Sequence, residues 1–103
     1  MTEGVKKDQG KARWDLVPWD CMSEVVRVLT WPVDNGKYSA DNWQKVPNAR
    51  RRYFAAAHRH FIEEWWINGS QTDAEDGHHP LAHAICCLLF LLWFDRNGAQ
   101  DNG

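Results

Sequence analysis

From Ala84 to Phe94 the chain reads AICCLLFLLWF, eleven consecutive apolar residues in a polypeptide of only 103. The run is far short of the about 18 to 20 residues that cross a bilayer, and too long for an ordinary strand, so it predicts a helix enclosed on nearly every side. A domain this small buries a modest share of its surface and has few elements with which to cover such a helix. Partner subunits are therefore expected over the helix at 79–96, and seven Trp and four Phe supply aromatic surface for a core, an interface or both.

The remaining punctuation gives two more helices. Pro18 suits a first helical turn, Val25, Val28 and Leu29 follow at helical spacing, and Pro32 is expected to stop the pattern. Residues 32–47 hold two prolines and an Asn-Gly pair, a long functional loop. A second helix is expected from Pro47 or Asn48 to Ile67, ended by Asn68-Gly69, and a third from His79, with Pro80 in its first turn, to Arg96 before Asn97-Gly98. The expectation is an all-α, compact helical domain of three main helices, 1–103, completed by oligomerisation, with a flexible basic arm at 1–12 and a loose end at 97–103. Turned at 100° per residue, the second helix lines up Phe54, Ala57, Phe61 and Trp65 as a core stripe, with Ile62 and Trp66 beside it. Tyr53, His60 and Glu64 fall on one edge of its polar side, next to a row of Arg52, Arg59 and Glu63.

Composition narrows the partners. Twelve basic and fourteen acidic residues give a net charge of −2, which does not favour nonspecific binding to nucleic acid. Residues 1–11 lack the apolar segment of a secretory signal, and Cys21, Cys86 and Cys87 have no metal-type spacing, so a cytoplasmic protein with reduced thiols is expected.

Chemistry concentrates between Arg59 and His83, where His60, Glu63, Glu64, Asp73, Glu75, Asp76, His78, His79 and His83 crowd onto two helices and their turn. So many carboxylates and imidazoles compete for protons unless a cation or substrate organises them. Glu63 or Glu64, Asp73 or Glu75, and His79 or His83 could converge on Mg²⁺ or Mn²⁺ if the two helices pack antiparallel, with a spare carboxylate or His60 as proton acceptor. A solvated acidic turn with capping histidines is the bland alternative, and zinc is disfavoured by the absence of HExxH. Phosphate groups would find Lys11, Arg13, Lys37, Arg52 and Arg59, and a nucleobase would find Trp14, Tyr38, Asn42 and Trp43.

Read together, GKARWDLVPWD, EVVRVLT, KYSADNW, YFAAAHRHF and DAEDGHHPLAHAICCLLFLL resemble the small phage dATP/dGTP diphosphohydrolase-type domains, grouped with the MazG-like all-α nucleoside triphosphate pyrophosphohydrolases, over residues 8–95. The resemblance implies a metal-dependent enzyme that cuts a purine deoxynucleoside triphosphate between its α and β phosphates. It implies roles for Lys11, Arg13 and Trp14, for Lys37, Tyr38, Asn42 and Trp43, for Arg59 and His60, and for Asp73, Glu75 and His83. The EExxE…ExxD spacing of MazG-like proteins is not reproduced, since histidines stand where its second acidic pair would fall. The reading from another class is a noncatalytic oligomeric helical protein that regulates or binds a partner or nucleic acid. Product analysis with dNTPs separates the two.

Overall fold

The computed structural model describes residues 4–98, which form three principal helices and, among the described residues, no strand. The molecule is elongated, 59 × 34 × 28 Å. Helix α1 spans Trp19–Asp34, α2 spans Ala49–His58 and runs without a break into a π-helical segment, Arg59–Ile67, and α3 spans Pro80–Asn97. Short 3₁₀ turns at Trp14–Leu16 and Asn42–Lys45 precede α1 and α2. No described helix is long and apolar enough to cross a membrane. The expected loose terminal segments fall partly on residues 1–3 and 99–103, outside the described residues.

Helix α3 is the central element. Its Ala82 and Cys86 meet Val25 and Val28 of α1, with Met22, Leu29 and Phe90 packed around them. On its other flank Phe90 lies against Tyr53, and His83 against His60. Both α1 and α2 thus pack on α3, and a cleft opens between them. The start and stop of α3 follow local chemistry: His79 caps the N-terminus by accepting the Leu81 amide on Nδ1, Pro80 occupies the first turn, and Gly98 ends the helix in the left-handed conformation at φ 59°.

Pro32 does not stop α1, which continues to Asp34. A proline so near a C-terminus forfeits a single amide donor, and its carbonyl is recovered by the Lys37 and Tyr38 amides that close the turn.

The second helix departs most from expectation. Its packed face is Ala49, Tyr53, Ala56, His60 and Glu64, whereas Phe54 is 65% exposed, Phe61 47% and Trp66 71%. Of the stripe expected in the core, Phe54 and Phe61 therefore face outward, while Ala57, Trp65 and the neighbouring Ile62 are half-buried. Two physical causes combine. Small Ala side chains let α2 approach an already apolar α3 closely, so burying the aromatics is not needed to seat the helix. Beyond residue 59 the winding is also slower, that of a π-helix, and contacts with His83 and Asp73 hold His60 on the inner face, on the edge it shares with Tyr53 and Glu64. The slower winding ends with the Asn68 amide on the Glu63 carbonyl, five residues back, and with Gly69 at φ 67°.

Candidate active site

The π segment, the 68–79 turn and the first turns of α3 bring together two acid–imidazole groups. His60, Glu64 and Asp73 have ligand atoms within 4.8 Å of one another, as do Asp73, Asp76 and His83, so Asp73 is common to both. The turn is shaped to present its carboxylates. Asp73 takes the Glu75 amide on Oδ1 at 2.8 Å, its own amide reaches the His78 carbonyl, and Asp76 takes the His78 amide. Gly77, at φ 76°, permits the reversal.

His83 Nε2 is 3.0 Å from Asp76 Oδ1, and the His60 and His83 rings stack with centroids 4.6 Å apart. His60 Nδ1 lies 3.1 Å from Glu64 Oε1 and 3.7 Å from Asp73 Oδ2, yet it is buried and makes no hydrogen bond. Burial, with the neighbouring His83 and Arg59, lowers the His60 pKa to about 4, so the ring is neutral near pH 7. Burial and the charge of Asp73 raise the Glu64 carboxyl. Burial pushes Asp73 the same way, but the Glu75 amide and His83 outweigh it and hold Asp73 below its ordinary value. The pair is thereby split into an ionised Asp73 and a Glu64 that keeps its proton longer.

An orphaned, neutral imidazole nitrogen aimed between two carboxylate oxygens is costly as it stands. Oxygen donors supplemented by imidazole suit Mg²⁺ or Mn²⁺, and a neutral ring is the form that ligates. The donor set fits such an ion.

The cluster lies at one side of a cleft of about 800 Å³, within the roughly 300–1,000 Å³ common for small-molecule sites. Its floor is formed by His83, Cys86, Cys87 and Phe90 of α3. Arg52 and Arg59 line it from the second helix, and Lys37, Tyr38 and Asn42 from the long loop. Lys37 Nζ is 2.5 Å from Glu75 Oε1, tying the loop to the turn that carries Asp73 and Asp76. Trp43 also borders the cleft, but one face of its ring is stacked on Phe90 at 4.6 Å and Trp93 closes on it edge-on, so packing occupies much of it.

Other sequence candidates lie elsewhere. Lys11, Arg13 and Trp14 are exposed and do not line the cleft. Arg13 pairs with Asp15, and Trp14 stacks on Trp19. Glu63 is exposed outside both groups. His79 has Nδ1 on the Leu81 amide and Nε2 3.2 Å from Gln71 Oε1, which commits its ring to capping α3. Asp76 was absent from the ligand candidates, although its side chain is only 4% exposed and belongs to the second group. Its signal was the Asp-x-x-Asp-Gly spacing, in which a tight turn aims both carboxylates to one side.

Fold and site together define a class, the small helical domains with an acid–imidazole cluster beside a cation-lined cleft. The chain belongs to the dATP/dGTP diphosphohydrolase N-terminal family, whose model matches residues 1–102. The family resemblance read from the motifs is thereby borne out. A curated Salmonella phage PMBT28 protein named dATP/dGTP diphosphohydrolase is 36% identical over 94 residues, 91% of this chain and 30% of that protein. The chain thus spans less than a third of that relative's length. No solved structure matches it.

Proposed function

We propose that this domain carries the active site of a purine dNTP diphosphohydrolase, converting dATP or dGTP to the monophosphate and pyrophosphate in phage nucleotide-pool control in the host cytoplasm. The observation that carries this reading is Asp73 shared between two acid–imidazole groups, one of them with an orphaned imidazole nitrogen, beside a cation-lined cleft. His60, Glu64 and Asp73, and Asp73, Asp76 and His83, would hold Mg²⁺ or Mn²⁺. Such an ion neutralises phosphate oxygens and lowers the pKa of bound water.

The chain's own groups do the rest. Arg59 and Arg52 on one wall and Lys37 on the other offset charge on the departing pyrophosphate. Water attacks the α-phosphorus, the bond to the α,β-bridging oxygen breaks, and Glu64 is the group suited to receive the water's proton. Tyr38 and Asn42 provide a ring and an amide for the base.

Incubation with each of the four dNTPs and Mn²⁺ should give monophosphate and pyrophosphate, fastest with dATP and dGTP, and a chelator should stop it. Release of inorganic phosphate alone, or turnover indifferent to chelator, would refute the assignment. Lys37→Met removes one charge-assisted contact to phosphate, so KM should rise roughly 10-fold with kcat changed less than about 3-fold. A collapse of kcat at constant KM would instead place Lys37 in the chemical step.

A further inference from the structure

The start of α3 is tied to α1 by a side chain distant in sequence. Glu24, half-buried on α1, accepts the His79 amide on Oε1 at 3.0 Å across 55 residues of chain. Glu24 neither lines the cleft nor belongs to either acid–imidazole group. Its effect on the site must therefore pass through the residue it holds.

That residue is the hub of the helix start. His79 accepts the Leu81 amide on Nδ1, and its carbonyl accepts the amides of Ala82 at 3.0 Å and His83 at 3.3 Å. Pro80 has no amide to place, so the last donor of the helix entry is the His79 amide itself, which goes to Glu24. With Nδ1 accepting, the ring hydrogen is on Nε2, which donates to Gln71 Oε1 at 3.2 Å and joins the hub to the 68–79 turn.

His83 follows His79 by one helical turn, so whatever fixes His79 fixes the height and direction of His83. The site depends on that register because its groups come from different elements. His83 Nε2 meets Asp76 of the turn, and its ring stacks on His60 of the second helix. Val25 and Val28 press α1 on Ala82 and Cys86, but apolar burial is non-directional and permits sliding and rotation. The Cys86 thiol on the Val25 carbonyl, at 3.5 Å, is a weak donor and adds little direction. The Glu24 bond is directional, since hydrogen bonds weaken steeply as their angle closes, and a carboxylate at a helix N-terminus also gains from the helix dipole.

We propose that Glu24 of α1 is a positioning residue of the active site, holding the start of α3 through the His79 amide so that His83 meets Asp76 and His60. What the site requires of Glu24 is an oxygen at the right reach, not a charge.

Two conservative variants separate these. Glu24→Gln keeps an oxygen of the same reach without the charge, and Glu24→Asp keeps the charge but is one methylene short. Nuclear magnetic resonance of the histidine rings, in the chain free of metal and nucleotide, reads the stack directly, because each imidazole lies in the ring current of the other. Glu24→Asp and Glu24→Ala should shift the His60 and His83 resonances, and Glu24→Gln should leave them in place. In calorimetric titration the first two should bind Mn²⁺ about 10-fold more weakly, and at saturating Mn²⁺ their kcat for dGTP should fall about 10-fold with KM within about 3-fold. Glu24→Gln should stay within about 3-fold of the parent throughout.

The kinetic outcome rests on the proposed function, whereas the spectra do not. A parent chain without dNTP turnover refutes that function, and the resonances still decide the role of Glu24. Unmoved resonances in Glu24→Asp and Glu24→Ala would overturn the proposal, even with a lower thermal midpoint, and reduce Glu24 to a stabilising contact. So would a Glu24→Gln as impaired as Glu24→Ala, which would make the charge itself the requirement. If Glu24→Ala does not fold, Glu24→Asp against Glu24→Gln carries the comparison.

Discussion

Asp73→Asn is expected to reduce dGTP and dATP turnover by more than about 100-fold while the far-ultraviolet helical signal stays intact. Outer-shell partners of metal ligands typically matter by about 10–100-fold, and Asp73 sits in both acid–imidazole groups, so its loss should exceed that range. The substitution preserves shape, and the amide oxygen can still accept the Glu75 N–H that orders the turn. What disappears is the carboxylate of the cluster that the Glu75 amide and His83 hold below its ordinary value. Two controls sharpen the result. Glu63→Gln should stay within about 3-fold of the parent, since its side chain stands outside both groups. Glu75→Gln should stay within about 10-fold, because its carboxylate engages Lys37 while its backbone amide serves Asp73. Ordinary turnover in Asp73→Asn would remove the cluster from the chemistry.

Saturating Mn²⁺ is expected to raise the thermal midpoint by on the order of 10 °C. An ion that binds only the folded chain at 100 times its dissociation constant stabilises by about 2.7 kcal/mol, and 1 kcal/mol moves the midpoint of a domain this small by roughly 4–8 °C. The cluster gathers three carboxylates and two imidazoles from 60 to 83 on abutting elements, and a cation bound there would relieve their repulsion and engage the orphaned His60 nitrogen. Asp73→Asn should lose most of this increment, whereas Lys37→Met should keep it. Scanning calorimetry with and without Mn²⁺ at pH 7 reads the effect, and an unchanged midpoint at millimolar Mn²⁺ would contradict binding at this cluster.

Much of the architecture was legible because its signals are local. The apolar run, the His79-Pro80 entry and the Asn97-Gly98 exit each act within one helical turn, and α3 follows them. Pro32 misleads because its cost depends on how many donors remain downstream of it. The rotation of the second helix was not legible: a hydrophobic stripe marks which face seeks cover but not whether this chain or another provides it. The 100° wheel places Tyr53, His60 and Glu64 on one edge, but it does not say that this polar edge is the one that packs. Choosing between His79 and His83 required knowing that one imidazole would be taken by a helix N-terminus. The carboxylates of 73–76 were visible as a dense acidic run, but which of them turn inward is decided by Gly77 and the hydrogen bonds of the turn.

The slow winding of residues 59–67 has an implication for how this domain can be improved. Nine residues forgo the tighter ladder that most helices adopt, and the same nine carry His60 and Glu64 of the acid–imidazole cluster. Tightening this segment for thermal robustness would therefore act on the candidate site as well.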